Sequence, residues 1–215
     1  MLNDRRVNLT EFAARLFPLS DPALTRELQS QLQAASVRER EGLQEFLAEH
    51  LESAAVAAET MIVCLGVRLG DTRSLDGALA LDAEVDAMPW SAGGREASRR
   101  MGRQALALAV DLIDSPLLLA FSIRAEAGTT PCHHCLVFGV VAGRLGWSAE
   151  AAVEAYLQGT AAAVVAAARA QLWLTPAEAQ DALWYAADEI ARLAHRTADA
   201  SVGASLTVEA HATSA

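Results

Sequence analysis

Asp21-Pro22, Ser115-Pro116 and Thr175-Pro176 each place a short capping side chain directly before a proline. Such a side chain accepts a hydrogen bond from a backbone N–H that the first helical turn leaves free. Proline at the next position gives up only an N–H that has no helical partner, and its fixed φ suits the helix. Thr175-Pro176-Ala177-Glu178 adds a glutamate three residues after the hydroxyl, the reciprocal arrangement of a capping box. Between such starts apolar residues recur every three or four positions, and no run shows the period-two alternation of a half-buried strand. The chain therefore predicts an all-α fold. Its composition points the same way: hydrophobic residues make up 53% but aromatic ones only 5%, with alanine abundant, which favours helices over sheets.

The periodicity places helices over residues 4–17, 23–36, 38–69, 75–88, 92–113, 117–124, 132–145, 149–173 and 176–197. Gly66 and Gly70 are expected to fray the end of the third. Gly139 and Gly143 give the segment 132–145 a small-residue face suited to a tight helix crossing. Ala161–Ala168 is small or apolar all round, which predicts that the helix around it is the buried central one. The architecture expected is a single globular bundle of roughly eight helices over residues 1–200, with a flexible tail at 201–215.

Several function classes drop out early. All 17 basic residues are arginine, so a Walker A lysine, a Schiff-base lysine and a carbamylated lysine are excluded. The net charge of −10 argues against a nucleic-acid surface. No signal peptide precedes the first helix, and Glu154, Gln158 and Arg169 break the longest apolar stretch, so a cytoplasmic protein without a membrane span is expected. Cys64, Cys132 and Cys135 make no disulfide framework.

Two stretches stand out. In Ser91–Arg103, residues Arg95, Arg99 and Arg103 lie at i, i+4 and i+8 on one ridge, with Arg100 beside it. Ala97, Met101, Ala105 and Leu108 form the apolar stripe of the same helix. Gly102 costs about 1 kcal/mol relative to alanine in a helix, so it predicts close approach by another backbone. The arginines suit bidentate contact with an acidic partner, or else form a solvated face. The second stretch is Cys132-His133-His134-Cys135. Thiolate and imidazole are good ligands for zinc, nickel or copper, but four adjacent ligands cannot wrap one tetrahedral ion and no second pair lies near. A helix start with two small buried thiols and imidazoles at its rim is the reading favoured over a metal site; a metal-binding role through these four residues, or an all-α ligand-binding regulator, stays as an alternative. No Gly-x-Ser-x-Gly or His-Glu-x-x-His is present, and Asp188-Glu189 reads as solvated surface.

Three segments together resemble the UreF family of urease accessory proteins. Arg95-Glu-Ala-Ser-Arg-Arg-Met-Gly-Arg103 is similar to the family's arginine-containing helix. His134-Cys-Leu-Val-Phe-Gly-Val-Val-Ala-Gly-Arg-Leu-Gly146 is similar to its His-x-x-Val-x-Phe-Gly segment. Ala151–Trp173, with Tyr156, resembles its long alanine-rich helix before a Thr-Pro restart. The resemblance spans roughly residues 10–200. It implies a helical protein with no catalysis and no cofactor of its own. Such a protein pairs with a UreD/UreH-like protein, recruits a UreG-like GTPase and docks on apo-urease, so that nickel is handled by the assembled complex; a homodimer is expected. On this reading Arg95, Arg99, Arg100, Arg103, Tyr156 and His211 are the candidate partner contacts. Two departures are plain. Phe17–Leu28 keeps a proline but lacks the family's glycines and His-Ser, and His211 is followed by alanine where the family tail continues with glutamate.

Overall fold

The computed structural model describes residues 15–17 and 21–212. Among them lie nine helices and no strand: α1 (Pro22–Ala34), α2 (Arg40–Glu52), α3 (Ala54–Asp71), α4 (Leu75–Asp86), α5 (Ala92–Leu112), α6 (Pro116–Glu126), α7 (His134–Arg144), α8 (Ala149–Leu172) and α9 (Pro176–Ala212). The expected helix over residues 4–17 lies outside the described residues except at its end, where Leu16 and Phe17 are buried.

The capping logic holds at each proline start. Asp21 accepts from the N–H groups of Ala23 and Leu24 at the start of α1, and Ser115 accepts from Leu118 at the start of α6. Thr175 and Glu178 cap each other reciprocally ahead of α9. Two boundaries differ from the sequence expectation. Residues 38–69 are not one helix. Ser53 stops α2, takes an extended backbone and caps α3 through the Val56 N–H, and the two axes bend by 51°. Nor does the last helix end near Thr197, for α9 runs unbroken to Ala212, so the backbone of most of the expected loose tail is helical.

The core is organised around α7, in which every residue from His134 to Gly143 is buried. The sequence pointed instead to α8, yet Ala166 of that helix is exposed. The stretch Ala149–Arg169 is long and apolar enough to cross a membrane in spite of its polar breaks, but 56% of its most apolar window is buried inside the fold, as in a core helix. Helices α3 and α7 cross at very close range. Gly66 and Gly70 face Gly139 and Gly143 so tightly that a Cβ on Gly143 would lie 2.0 Å from the Val67 carbonyl oxygen, and one on Gly70 would lie 2.2 Å from that of Val140. Gly66 and Gly70 therefore pack the crossing rather than fray α3, which continues to Asp71. Helix α5 closes α7 from another side, α8 and α9 form an antiparallel hairpin behind it, and α1 bridges α5 and α8.

Candidate functional site

The arginine helix and the Cys-His-His-Cys segment meet. Gly102 of α5 lies against the turn before α7, where an added Cβ would stand 1.9 Å from the Cys132 carbonyl oxygen. This is the backbone approach that a glycine in mid-helix predicts. Cys132 itself sits in the left-handed region at φ 68°, a conformation that costs a non-glycine residue energy unless its surroundings enforce it. The enforcing group is Asp82, a fully buried carboxylate on α4. It accepts from the Thr130 hydroxyl, the Cys132 N–H and the His133 N–H. The turn is thus clamped between a carboxylate on α4 and a bare backbone on α5.

Beside this clamp runs a second polar chain. His133 is fully buried, its ring stacked on Trp90 at a centroid distance of 5.1 Å. Its Nε2 lies 2.9 Å from Asp86 Oδ1, and its Nδ1 lies 3.1 Å from Ser98 Oγ. Burial pushes the His133 pKa down, partly offset by the Asp86 hydrogen bond. The neutral ring then donates from Nε2 to Asp86 and accepts from the Ser98 hydroxyl at Nδ1, while Ser98 Oγ accepts the His134 N–H. Arg99 completes the chain on Asp86, and its hydrogen bonds hold the Asp86 carboxyl below the usual range. Arg100 forms a two-pronged pair with the nearly buried Asp21, its Nε 2.6 Å from Oδ2 and its second nitrogen 2.6 Å from Oδ1. Burial pushes Asp21 up, but the Arg100 bonds and the two α1 N–H groups outweigh it, and Asp21 titrates below its ordinary value.

The arginines therefore do not act as one free ridge. Arg99 and Arg100 are tied to α4 and to the start of α1. Arg95 reaches the Met88 carbonyl oxygen at 3.4 Å. Arg103 is exposed and makes no ion pair among the described residues. Tyr156 is only 4% exposed and donates to Glu59 at 3.0 Å, so it faces the interior. His211 lies within α9, well removed in sequence from the other candidates.

The Cys-His-His-Cys residues disperse. Both imidazoles are buried, against the expectation that they sit at a helix rim, because α7 starts at His134 and the turn before it is covered by α4 and α5. His134 sends Nε2 to the Leu16 carbonyl oxygen at 2.8 Å, and burial lowers its pKa to about 4. Burial pushes the Cys132 thiol up to about 12 and the Cys135 thiol well above its ordinary value, so neither is a ready thiolate ligand. Among the described residues no three His, Cys, Asp or Glu side chains are grouped to hold a metal ion.

Next to the polar chain, between α1, α3, α5 and α8, lies a cavity of about 260 Å³. Glu59 on its wall is pushed up to about 7 by burial, against the opposing bond from Tyr156.

A family model named UreF matches residues 37–187, from the approach to α2 into α9. The chain belongs to the UreF family. The match includes the arginine helix, all of α7 and the alanine-rich α8, so the resemblance drawn from those segments holds. A curated relative, "Urease accessory protein UreF" of Bacillus sp. (strain TB-90), is 24% identical over 162 residues, covering 75% of this chain and 71% of that protein.

The sequence reading missed Asp82, Asp86, Ser98 and Glu59. A signal existed for two of them. Asp82 falls at i+4 from Ala78 and three residues before Val85, on the buried face of α4, and Glu59 falls three residues after Val56 at the edge of the buried face of α3. A carboxylate at apolar spacing is seldom buried without partners.

Proposed function

We propose that this chain is a non-enzymatic accessory factor in nickel-dependent urease maturation, working in the cytoplasm as a bridge between a UreD/UreH-like scaffold and a UreG-like GTPase on apo-urease. The observation that carries this reading is the family match over residues 37–187. The name of the Bacillus relative supports the coarser part of it, a role as a urease accessory protein. The chemistry of the interior is compatible with it. The Ser98–His133–Asp86 chain resembles a catalytic set in composition, but Asp86 is paired with Arg99 and burial lowers the His133 pKa, so His133 is a weak base toward the Ser98 hydroxyl. Its evident work is to fix α4, α5 and α7 together.

Nickel in this proposal is cargo of the assembled complex, and the chain holds no cofactor. Arg103 and Arg95 are the arginines left for an acidic partner, with the α9 end that carries His211 as a second contact. Co-expression with UreD/UreH-like and UreG-like proteins, followed by affinity capture of this chain, tests the bridge. Retention of both partners is expected, with a homodimeric core by light scattering, and Arg103→Glu is expected to weaken retention while leaving the melting temperature unchanged. Consistent failure to retain either partner would sink the proposal.

A further inference from the structure

The cavity beside α5 is chemically one-sided. Two carboxylates line it, Glu27 of α1 and Glu59 of α3, and no arginine does. Phe17, Trp90 and Tyr156 supply aromatic wall. The neutral donors on the wall are largely spent within the protein. The Tyr156 hydroxyl donates to Glu59, the Thr160 hydroxyl to the Tyr156 carbonyl oxygen, the Gln31 amide to Glu27 and the Ser98 hydroxyl to His133. Acceptors are left over. Glu59 Oε1 and His134 Nδ1 have no hydrogen-bond partner among the described residues, since Tyr156 takes only Oε2 and His134 bonds through Nε2. His50 also faces the space, with burial lowering its pKa. A wall rich in acceptors, carrying negative charge and aromatic rings, complements a ligand that brings several N–H donors and positive charge. Its volume lies just under the range of about 300–1,000 Å³ usual for small-molecule sites, so the ligand is compact. Pro89 and Ser91 at the edge are exposed, which gives a route in from the α4–α5 loop.

We infer that this cavity is a binding site for a compact organic cation, an alkylguanidinium or alkylammonium group, held by Glu59 and Glu27 against the rings of Trp90 and Tyr156. The site is independent of the urease role. The cation has two possible sources, a free small molecule or an arginine side chain presented by another protein, and both share this recognition chemistry.

Calorimetric titration of the full chain with n-propylguanidinium tests it, alongside the neutral n-propylurea and a capped Gly-Arg-Gly peptide. Saturable binding of propylguanidinium with no binding of propylurea is expected. Glu59→Gln should weaken that binding by about tenfold or more, since it removes a charge-assisted bond. Glu27→Gln should weaken it less, with a single cooperative melting transition in each variant showing that both are folded. Tighter binding of the peptide than of propylguanidinium assigns the cation to a protein side chain, and the reverse order assigns it to a free molecule. Equal binding of the neutral urea, no binding of either cation to the wild-type chain, or an unchanged affinity in a folded Glu59→Gln variant would each overturn the inference.

Discussion

Helix α7 is held from two sides by different physics. On the α3 side the contact is backbone on backbone, with Gly66 and Gly70 against Gly139 and Gly143, and Arg144 at the end of α7 donates to the Gly70 carbonyl oxygen. On the α4–α5 side it is a polar clamp, in which Asp82 caps the turn into α7 and Ser98, His133, Asp86 and Arg99 form a continuous hydrogen-bonded chain. The first side depends on the absence of atoms and the second on the presence of partners. A substitution that adds a methyl group should therefore damage the first most, and one that removes an oxygen should damage the second most.

The largest effect is expected at the glycine crossing. Gly143→Val would drive side-chain atoms into the Val67 carbonyl, which is backbone and cannot swing away. A loss of about 4 kcal/mol or more in chemical denaturation is expected. A loss under about 1 kcal/mol would mean that the two helices can separate freely and that the crossing is not rigid.

Next comes the clamp. Asp82→Ala leaves the Cys132 and His133 N–H groups and the Thr130 hydroxyl buried without their acceptor, and removes what holds Cys132 at φ 68°. A cost of about 3 kcal/mol is expected, read from denaturant midpoints. Asp82→Asn retains one acceptor oxygen and should cost less. Equal costs for the two variants would argue that packing, not hydrogen bonding, carries the contact.

The arginines separate more finely. Arg100→Ala strands the nearly buried Asp21 carboxylate and should cost about 2 kcal/mol, whereas exposed Arg103→Ala should stay within about 0.5 kcal/mol. If the two variants melt alike, the Asp21 pair contributes nothing beyond a surface charge.

The subtlest readout is a change in pH dependence. Glu59 is raised from 4.5 to about 7 by burial, with Tyr156, Cys135, Glu27, His50 and His134 among the titratable groups around it. The folded state holds its proton more tightly than the unfolded chain does. Its contribution to stability is therefore fully present below about pH 4.5 and is lost as the pH rises through about 7. Glu59→Gln should flatten the fall in melting temperature across that window. An unchanged slope in the variant would place the titration elsewhere.

The two sides of α7 also differ in how much of them the sequence displayed. Gly139 and Gly143 advertise a close crossing within one segment, because small residues one turn apart mark a bare helix face. Their partners, Gly66 and Gly70, were in plain view but looked like a helix end, since glycine serves both purposes. Gly102 likewise predicted a backbone neighbour without naming it. The polar clamp was hidden for a different reason. Its carboxylates stand on α4, some 50 residues before the turn they hold, and no local spacing joins them to His133. Arg99 and Arg100 looked like docking groups because charge density along one helix says nothing of what packs against it.

The sequence by itself determined the helical class, the capped helix starts and, through the arginine helix, the His134–Gly146 segment and the alanine-rich stretch, membership in the UreF family. The helical class and the capped starts rest on contacts within a few residues, which composition and period encode directly, whereas the family membership rests on the likeness of those segments to the family's and on the match over residues 37–187. Only the tertiary structure decided that α7 rather than α8 is central, that the arginines are partly consumed inside the fold, that Tyr156 faces a cavity, and that the His133 and His134 rings point to different groups while both thiols are buried. Each of those depends on which distant face meets which. Burial and pairing follow from that meeting, since a charge or an imidazole takes its role from the groups that surround it.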